Sequence, residues 1–393
     1  MTVYEEKNEL VIELDERIEH SNAGEVEEAI FEAVSSHPGL PLCLDAEKLV
    51  YISSAGLRIM IKLRKACTEG FLIRNVSLEV YEIFDTTGLN QIIRIQKKQR
   101  RIDVEGLEII GKGASGTVYR LDEETAVKVY HGGEEVLPVI EEEKEKARQA
   151  FLSGIPTAIP FDIVRVGNGY GTVFEMIDAR NLNEIIKNDP SCLTQIIPKY
   201  ADLLRHLHSL EAFEGHLPGA GALYLEALEV FAPFLSEKIF MRIRELLEGL
   251  PEVRNILHGD IQVKNVILSG DEMILIDMDH MCAGNPVFEF ASLYATYIAF
   301  NEVDPSDTLR FLGLDQKTCT RLFDDTLREY LCDPDEETLR RAETKIRIAG
   351  YLRLLTILII ERKEEESEKK DVCIRHAAKR LEELVFTTDT LGI

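Results

Sequence analysis

The first hundred residues alternate between two patterns of apolar and polar positions. Short apolar runs rich in branched side chains predict buried strands, and apolar residues spaced three and four apart predict amphipathic helices. The predicted strands are 10–14, 40–45 and 71–76, and the predicted helices are 24–37, 53–70 and 77–88. Strands that alternate with helices favour a small α/β sheet with helices packed against it.

The pattern changes after residue 105, where the apolar stretch LEII leads into a glycine-rich turn. Gly111, Gly113, Gly116 and Val118 form G-x-G-x-x-G-x-V, and glycine lets a backbone approach phosphate groups without a Cβ in the way. A dinucleotide-binding motif would open a helix after its last glycine. Here the strand TVYRL follows instead, which indicates a hairpin that covers the phosphates of a nucleotide.

Lys128 lies in the next strand, AVKVY, twelve residues after Gly116. Kinase-like enzymes carry there the lysine that holds the α- and β-phosphates, paired with a glutamate from the following helix. That helix is predicted over 139–156, and its competing glutamates are Glu141, Glu142, Glu143 and Glu145. Counting back from the G-I-P that ends the helix favours Glu143, and the others are expected on a solvated face.

The segment 169–178, GYGTVFEMID, predicts a strand that runs into a hinge. The adenine edge of a nucleotide would meet backbone groups between Glu175 and Ile177. This assignment depends on position along the chain, because backbone groups carry no side-chain signature.

The strongest motif is LHGDIQVKNVIL at 257–268, followed by MILIDMD at 273–279. His258, Gly259, Asp260 and Asn265 match H-G-D-x-x-x-x-N, and Asp277 ends the next apolar strand. Phosphoryl transfer needs a carboxylate that accepts the hydroxyl proton of the acceptor, which fits Asp260. It also needs oxygen ligands for Mg²⁺, which fit Asn265 and Asp277. His258 is interpreted as a residue that orients the loop.

The H-G-D form resembles the aminoglycoside phosphotransferase and choline kinase family over about 106–300. The D-x-D of IDMD agrees, as does AGNPVFEFASL at 283–293, in which Glu289 replaces the usual aspartate. YADLLRHLHSLE also resembles a family helix, with His208 interpreted as structural. The resemblance implies an α+β bilobal protein kinase-like fold with ATP and Mg²⁺ as cofactors, divided into an N-lobe at 106–177 and a C-lobe at 178–393. No A-P-E follows Asp277, so a small-molecule hydroxyl is favoured as the acceptor.

LPLCLDAEKLVYISSAGLRIMIKL, together with NVSLEVYEIFDTTGLNQIIRI, is similar to the STAS domain of anti-sigma-factor antagonists across 1–95. The similarity implies a regulatory α/β domain that binds a protein partner. In that family the serine before the turn glycine is phosphorylated, but Ala55 holds this position here. Ser53 and Ser54 are interpreted as helix caps. The basic stretch within 96–105 is expected to be a solvated linker.

The 393 residues carry a formal net charge of −25, and 45% of them are apolar. The charge argues against nucleic acid or an anionic membrane as a partner, and a charged acceptor is expected to be cationic. The seven cysteines form no C-x-x-C, and the first ten residues lack a secretory signal, which favours a reducing, cytoplasmic location. The sequence-based hypothesis is an ATP- and Mg²⁺-dependent phosphotransferase. A protein Ser/Thr kinase of an anti-sigma or stress pathway and a nucleotide-sensing scaffold without turnover are the alternatives.

Overall fold

The structure is a computed structural model that describes residues 1–6, 8–67, 70–113, 115–212, 217–363 and 367–393. The chain folds into two compact units. Met1–Asp103 with Ile163–Gly167 form the first, and Val104–Asp162 with Asn168–Ile393 form the second.

The first unit is a mixed sheet with helices packed against it. Its strands are β1 (Thr2–Glu6), β2 (Glu9–Glu13), β3 (Arg17–Ile18), β4 (Leu42–Asp45), β5 (Tyr51–Ile52), β6 (Phe71–Val76), β7 (Arg94–Lys97) and β8 (Arg101–Ile102), and its helices are α1 (Ala23–Ser36), α2 (Ser54–Ala66) and α3 (Leu78–Thr86). Five strands lie in the order β1-β2-β4-β6-β7, antiparallel between β1 and β2 and parallel elsewhere. Ile12, Leu44 and Ile73 point into one apolar core with Met60 and Phe84, all at 0% exposure.

Two details of this unit bear on the sequence-based expectations. The segment 96–105, expected to be a solvated linker, contains strand residues: its first two residues end β7, and Arg101–Ile102 forms β8. Ser53 is the N-cap of α2, and its side chain accepts the N–H of Gly56 at 3.4 Å. Ser54 is exposed at the first position of the helix.

The second unit begins with an antiparallel sheet and one long helix. Its first elements are β9 (Ile109–Lys112), β10 (Gly116–Arg120), β11 (Thr125–Tyr130), α4 (Leu137–Leu152) and β13 (Gly169–Glu175). The strand β12 (Pro160–Val166) begins in this unit, and its residues from Ile163 onward are counted with the first. Strands β13, β11, β10 and β9 lie side by side in that order. Lys128 is opposite Val118 on one side and Thr172 on the other. The predicted glycine-rich hairpin and the helix after it are therefore both present.

The rest of the second unit is mainly helical. It contains β14 (Arg180–Asn181), α5 (Leu182–Asn188), α6 (Leu193–Ser209), α7 (Ala220–Phe231), α8 (Glu237–Glu248), β15 (Ile256–Leu257), β16 (Val266–Ser269), β17 (Glu272–Leu275), β18 (Cys282–Ala283), α9 (Val287–Tyr294), α10 (Phe300–Val303), α11 (Asp307–Phe311), α12 (Gln316–Tyr330), α13 (Glu336–Leu355) and α14 (Glu368–Leu384). Among the described residues, single 3₁₀ turns occur in the first unit at Leu89–Gln91 and in the second at Glu134–Val136, Pro190–Cys192, Ala232–Phe234, Val263–Asn265 and Met278–His280.

Two π-helical turns continue helices of this region. Ala295–Ala299 follows α9, and Thr356–Glu361 follows α13. The apolar segment 351–360 spans the end of α13 and most of the second π turn. Within the described part of the chain, no helix combines the length and apolar character that a membrane crossing requires.

Candidate active site

Lys128 is the centre of one group of charged side chains. Its Nζ donates to Glu143 Oε1 at 2.8 Å and to Asp277 Oδ1 at 2.7 Å. Burial raises the pKa of Glu143 above its ordinary value, although Lys128 opposes this. For Asp277 burial acts in the same direction, but the charge and hydrogen bond of Lys128 dominate and lower its pKa. The lysine therefore joins two carboxylates, of which Asp277 is the more strongly held in its ionised form.

Of the four glutamates considered for the partner of Lys128, Glu143 is the one that reaches it. Glu143 lies on the buried face of α4 and is 5% exposed. Glu142 pairs with Lys146 and Glu145 pairs with Arg148, and both glutamate side chains are more than half exposed. Helical spacing accounts for this division, because neighbouring residues point to different faces.

The glycine-rich hairpin is closed by main-chain contacts. The N–H of Gly113 donates to the carbonyl of Gly116 at 2.9 Å, and Gly111 lies opposite Val118. A Cβ at Gly116 would lie 2.3 Å from the carbonyl oxygen of Val129, so a larger residue does not fit there without a shift of backbone. Ala114 lies outside the described residues.

In the predicted hinge, between Glu175 and Ile177, several main-chain groups already hydrogen-bond to other parts of the protein. The N–H of Glu175 donates to Ile159 at 3.0 Å, and the N–H of Met176 donates to Glu124 at 2.8 Å. The carbonyl of Ile177 accepts the N–H of Ala179. A nucleotide base that binds along this segment would therefore have to use other groups than these two N–H donors.

Asp260 lies in the loop between β15 and β16. Its Oδ2 accepts the side-chain N–H groups of Gln262 at 3.1 Å and of Asn265 at 3.3 Å. The hydroxyl of Ser292, from α9, lies 3.5 Å from Oδ1. Burial raises the pKa of Asp260, and the positive charge of Arg353 is the largest influence that opposes it. The result is a carboxylate that accepts a proton more readily than an exposed aspartate does.

Asn265 is oriented so that its amide oxygen is the side-chain group left for a ligand. Its Nδ2 donates to the carbonyl of Asp260 at 2.9 Å as well as to Oδ2. Asp277 has a left-handed backbone, with φ 66° and ψ 60°, and its side chain is 38% exposed. Amide and carboxylate oxygens are hard donors, and Mg²⁺ usually takes one or two protein carboxylates plus phosphate and water oxygens. Asn265 and Asp277 thus fit such an ion, although no cluster of three or more ligating side chains occurs among the described residues.

Ile276 joins the loop of Asp260 to the strand end of Asp277 through its main chain. Its N–H donates to the carbonyl of Asn265 at 3.0 Å. Its carbonyl is 3.0 Å from Nε2 of His258, while Nδ1 of the same ring accepts the N–H of Asp260 at 3.3 Å. These partners assign a neutral His258 with its proton on Nε2, a residue that orients the loop.

A buried carboxylate holds the start of the same loop. Glu289 Oε2 accepts the N–H of His258 at 2.6 Å, and Oε1 accepts the N–H of Gly259 at 3.0 Å. Nε2 of His208 is 3.6 Å from Glu289, and both side chains are almost fully buried. Burial raises the pKa of Glu289, but His208 and the backbone N–H groups outweigh it and lower the pKa below its ordinary value.

Some neighbours of the site have no signal in the sequence motifs. Gln262 and Ser292 contact the carboxylate of Asp260, and Arg353 is a buried arginine on α13 whose charge reaches it. Arg353 pairs with Glu361 at the end of the second π turn. Ser292 and Arg353 come from distant segments, and Gln262 holds one of the variable positions of the motif, so local spacing does not reveal them.

Four aromatic residues of the helical region make no ring contact with one another among the described contacts. Tyr224 packs on Phe288 with ring centroids 4.4 Å apart, and Tyr294 bonds to Glu302. Phe231 is 1% exposed in the core, whereas Phe234 is 45% exposed. They serve as packing and surface residues at separate places.

Comparison with known proteins supports an assignment by sequence family. Residues 106–335 match the phosphotransferase enzyme family, APH, and residues 1–101 match the STAS domain. No curated protein matches the chain.

Three solved structures align with most of this chain at low sequence identity. A choline/ethanolamine kinase family protein from Mesorhizobium loti is 14% identical, with 71% of this chain and 87% of that chain covered and a TM-score of 0.46. The GDP complex of aminoglycoside 2′-phosphotransferase-IIIa is 13% identical, with 78% and 98% covered and a TM-score of 0.46. Aminoglycoside phosphotransferase APH(3″)-Id from Streptomyces rimosus, in complex with ADP and streptomycin, is 18% identical, with 70% and 92% covered and a TM-score of 0.38.

With such low identities and TM-scores, the assignment rests on the family matches, which agree with the motifs and with the geometry around Lys128 and Asp260. Both predicted resemblances, and the fold class that they imply, are confirmed. The chain belongs to the phosphotransferase enzyme family, and a STAS domain precedes its phosphotransferase domain.

Proposed function

We propose that this protein transfers the γ-phosphate of ATP to a hydroxyl group of a small acceptor, with Mg²⁺ as cofactor. The observation that carries the proposal is the linkage of Asp260, Asn265 and Asp277 through the main chain of Ile276, with Lys128 in contact with Asp277. A proton acceptor, two oxygen ligands and a phosphate-binding cation are the groups that phosphoryl transfer uses. Family membership supports the same reaction class.

In this proposal the two aspartates have different tasks. The raised pKa of Asp260 suits it to accept the proton of the acceptor hydroxyl as that oxygen attacks the γ-phosphorus. The lowered pKa of Asp277 keeps it ionised, as a metal ligand must be. Opposite shifts in neighbouring carboxyl groups are a common sign of such a division between acid–base and electrostatic roles.

Asn265 and Asp277 would hold Mg²⁺. When bound, this ion would neutralise negative charge on the β- and γ-phosphates. Lys128, oriented by Glu143, would bind the α- and β-phosphates. Lys128 would then exchange its contact with Asp277 for one with phosphate oxygens. Gly111, Gly113 and Gly116 would cover the phosphates with backbone N–H groups, with Val118 beneath the nucleotide, and the segment from Glu175 to Ile177 would lie at the base.

The acceptor is proposed to be a small molecule with a free hydroxyl. The acidic surface implied by the net charge of −25 favours a cationic acceptor over an anionic one. Arg353 is a cation near Asp260, but Glu361 neutralises it. The positive charge of Arg353 beside Asp260 therefore does not argue against a cationic acceptor, which the net charge of the chain favours.

We assign regulation or partner binding to the STAS domain. The boundaries that we propose are 1–95 for this domain, 96–105 for the connection, 106–177 for the N-lobe and 178–393 for the C-lobe. Because Ala55 replaces the phosphorylated serine of the similar domains, binding of a protein partner is proposed without a phosphorylation switch at that position.

The test is an acceptor screen that measures release of ADP from ATP and Mg²⁺. Aminoglycosides, choline-like amines, sugars and nucleosides form the panel, and phosphate on the product is identified by mass spectrometry. Asp260→Asn is expected to lower turnover by about 10²–10⁴-fold, the range for loss of a general base, while Mg-ATP still raises the melting temperature.

Asp271→Asn is the matched control, because Asp271 is fully exposed in the turn after β16 and pairs only with Lys199 in the described contacts. It makes the same change of charge without touching the site. Full turnover in Asp260→Asn would refute the assignment of the base. ATP binding without transfer to any acceptor or protein would favour the nucleotide-sensing alternative, and labelled protein would favour the protein kinase.

A further inference from the structure

Two buried tyrosines bond to the short segment that separates Asp260 from Asn265. The hydroxyl of Tyr297 accepts the N–H of Val263 at 2.9 Å. The hydroxyl of Tyr200 donates to the carbonyl of Ile261 at 3.4 Å. Both tyrosines are fully buried, at 0% exposure. The active-site loop is thus attached to the helical region by side chains that its own motif does not include.

The two hydroxyl groups bond to main-chain groups on either side of Gln262. Tyr297 accepts the N–H of Val263 and Tyr200 donates to the carbonyl of Ile261, so both of these main-chain groups have a buried side-chain partner. The amide of Gln262, which lies between them in the sequence, contacts the Asp260 carboxylate.

Tyr297 is presented from an unusual backbone. It is the middle residue of the π-helical turn Ala295–Ala299, and the side chain of Asn301 donates to its carbonyl at 3.0 Å. The same Asn301 amide bonds to Thr308, which anchors the turn. A π turn inserts one extra residue into the helix, so the residues after it face different neighbours than they would in a regular α-helix. Such turns are frequent at functional sites.

We infer that Tyr297, together with Tyr200, is a positioning residue that sets the separation of Asp260 from Asn265 by bonding the two main-chain groups between them. The inference deepens the proposed function and rests on it, since the base and the metal ligand must act on one phosphoryl group. A purely structural role, in which the hydroxyls merely satisfy buried groups, predicts a loss of stability without a selective loss of turnover. The two roles are therefore separable by kinetics.

The test uses the full chain with Tyr297→Phe and Tyr200→Phe, which remove an oxygen and keep the ring. Tyr351→Phe is the control, because Tyr351 is also 0% exposed and its hydroxyl bonds to Glu302 and Tyr294, away from the loop. We expect Tyr297→Phe to lower kcat by about 10–100-fold with KM for ATP within about threefold, since small misplacements of reacting groups cost rates of this order. Tyr351→Phe is expected to keep kcat within about twofold of the wild type, the scale of an unrelated site.

A second measurement does not depend on activity. Amide hydrogen exchange of the peptide that contains Val263 is expected to be faster in Tyr297→Phe than in the wild type and in Tyr351→Phe. Unchanged exchange overturns the inference, and so does faster exchange with an unchanged kcat. If the wild type transfers phosphate to no acceptor while exchange still increases in Tyr297→Phe alone, the attachment of the loop stands, and the proposed function fails separately.

Discussion

Glu289 accepts the backbone N–H of His258 at 2.6 Å, so a fully buried carboxylate on α9 fixes the first residue of the H-G-D loop. Its second oxygen accepts the N–H of Gly259. Two backbone donors and the nearby His208 supply the partners that a buried charge requires. The loop is therefore held at its start by Glu289 and further along by the tyrosine pair.

Replacement of Glu289 by glutamine should weaken this attachment. The amide keeps one acceptor oxygen and presents an NH₂ group to a backbone N–H, which leaves a buried donor unpaired at a cost of about 1–3 kcal/mol. We expect Glu289→Gln to lower the free energy of unfolding by this amount and to reduce kcat. Glu289→Asp, which retains both oxygens on a shorter side chain, should lose less. Urea unfolding measures the free energy of unfolding, and ADP release measures kcat. A Glu289→Gln variant that matches the wild type in both would contradict the role of Glu289 in holding the loop.

The pairing of Lys128 with Glu143 predicts a selective effect on nucleotide binding. Glu143→Gln removes the charge that orients Lys128, and we expect the Kd for Mg-ATP to rise by about tenfold, equivalent to about 1.4 kcal/mol. Glu145→Gln, two residues further along α4 on its exposed face and paired with Arg148, is the control with the same chemical change. Calorimetric titration with Mg-ATP distinguishes the two variants. Equal affinities in both would contradict the assignment of Glu143 as the residue that orients Lys128.

Gly259 is required by both conformation and space. Its φ is +80°, and a Cβ would lie 2.2 Å from the carbonyl oxygen of His280. Gly270 has a similar φ of +61°, but no atom lies within 4 Å of its Cβ position. Gly270→Ala should therefore cost about 1–2 kcal/mol of strain alone, whereas Gly259→Ala should cost more and also abolish turnover. Thermal unfolding and turnover are measured for both alanine variants. Equal losses of stability in Gly259→Ala and Gly270→Ala would contradict the steric clash with His280.

Asp45 of the STAS domain predicts a dependence of stability on pH. Burial raises its pKa, but bonds from Asn75, the N–H of Glu47 and Arg74 outweigh this and hold it below the ordinary 3.8. The folded state therefore binds the proton more weakly than the unfolded chain, so the stabilisation is present above about pH 4 and is lost as the pH falls through the folded value. Asp45→Asn should be less stable than the wild type at pH 7 by about 1–3 kcal/mol.

This difference should shrink as the pH approaches 3, and differential scanning calorimetry of the full chain follows it. Glu47→Gln changes an exposed carboxylate that pairs with Lys98 and should change stability by less than about 1 kcal/mol at any of these pH values. A difference for Asp45→Asn that does not depend on pH would show that its charge is not the cause.

The sequence predicts an element well where the spacing of its apolar residues reflects burial in the core. The apolar runs at 10–14 and 71–76 predicted strands because their side chains face a core on a sheet. The edge strand Thr2–Glu6 was not predicted, since it is mostly exposed and gives no apolar signal. Neither π-helical turn has a sequence signature, because the apolar segments that contain them look like ordinary helix.

The same limit applies to the candidate site. Asp260, Asn265 and Asp277 lie within one short stretch, so spacing identified them. Tyr200 and Tyr297 approach the loop from helices that are distant in the sequence, and only tertiary packing shows the contact. Position 143 was favoured over its neighbours by counting, whereas the structure distinguishes it by burial and by the contact with Lys128.

The two bonds made by Ile276 are encoded in the main chain, not in the side chain. Every residue except proline carries the N–H that reaches Asn265, and every residue carries the carbonyl that reaches His258. With respect to these bonds, the side chain at 276 is free to vary over evolution while the spacing between loop and strand end is inherited unchanged. These two bonds are thus insensitive to any point substitution at 276 other than proline, and divergence among the other residue types does not by itself indicate that they are lost.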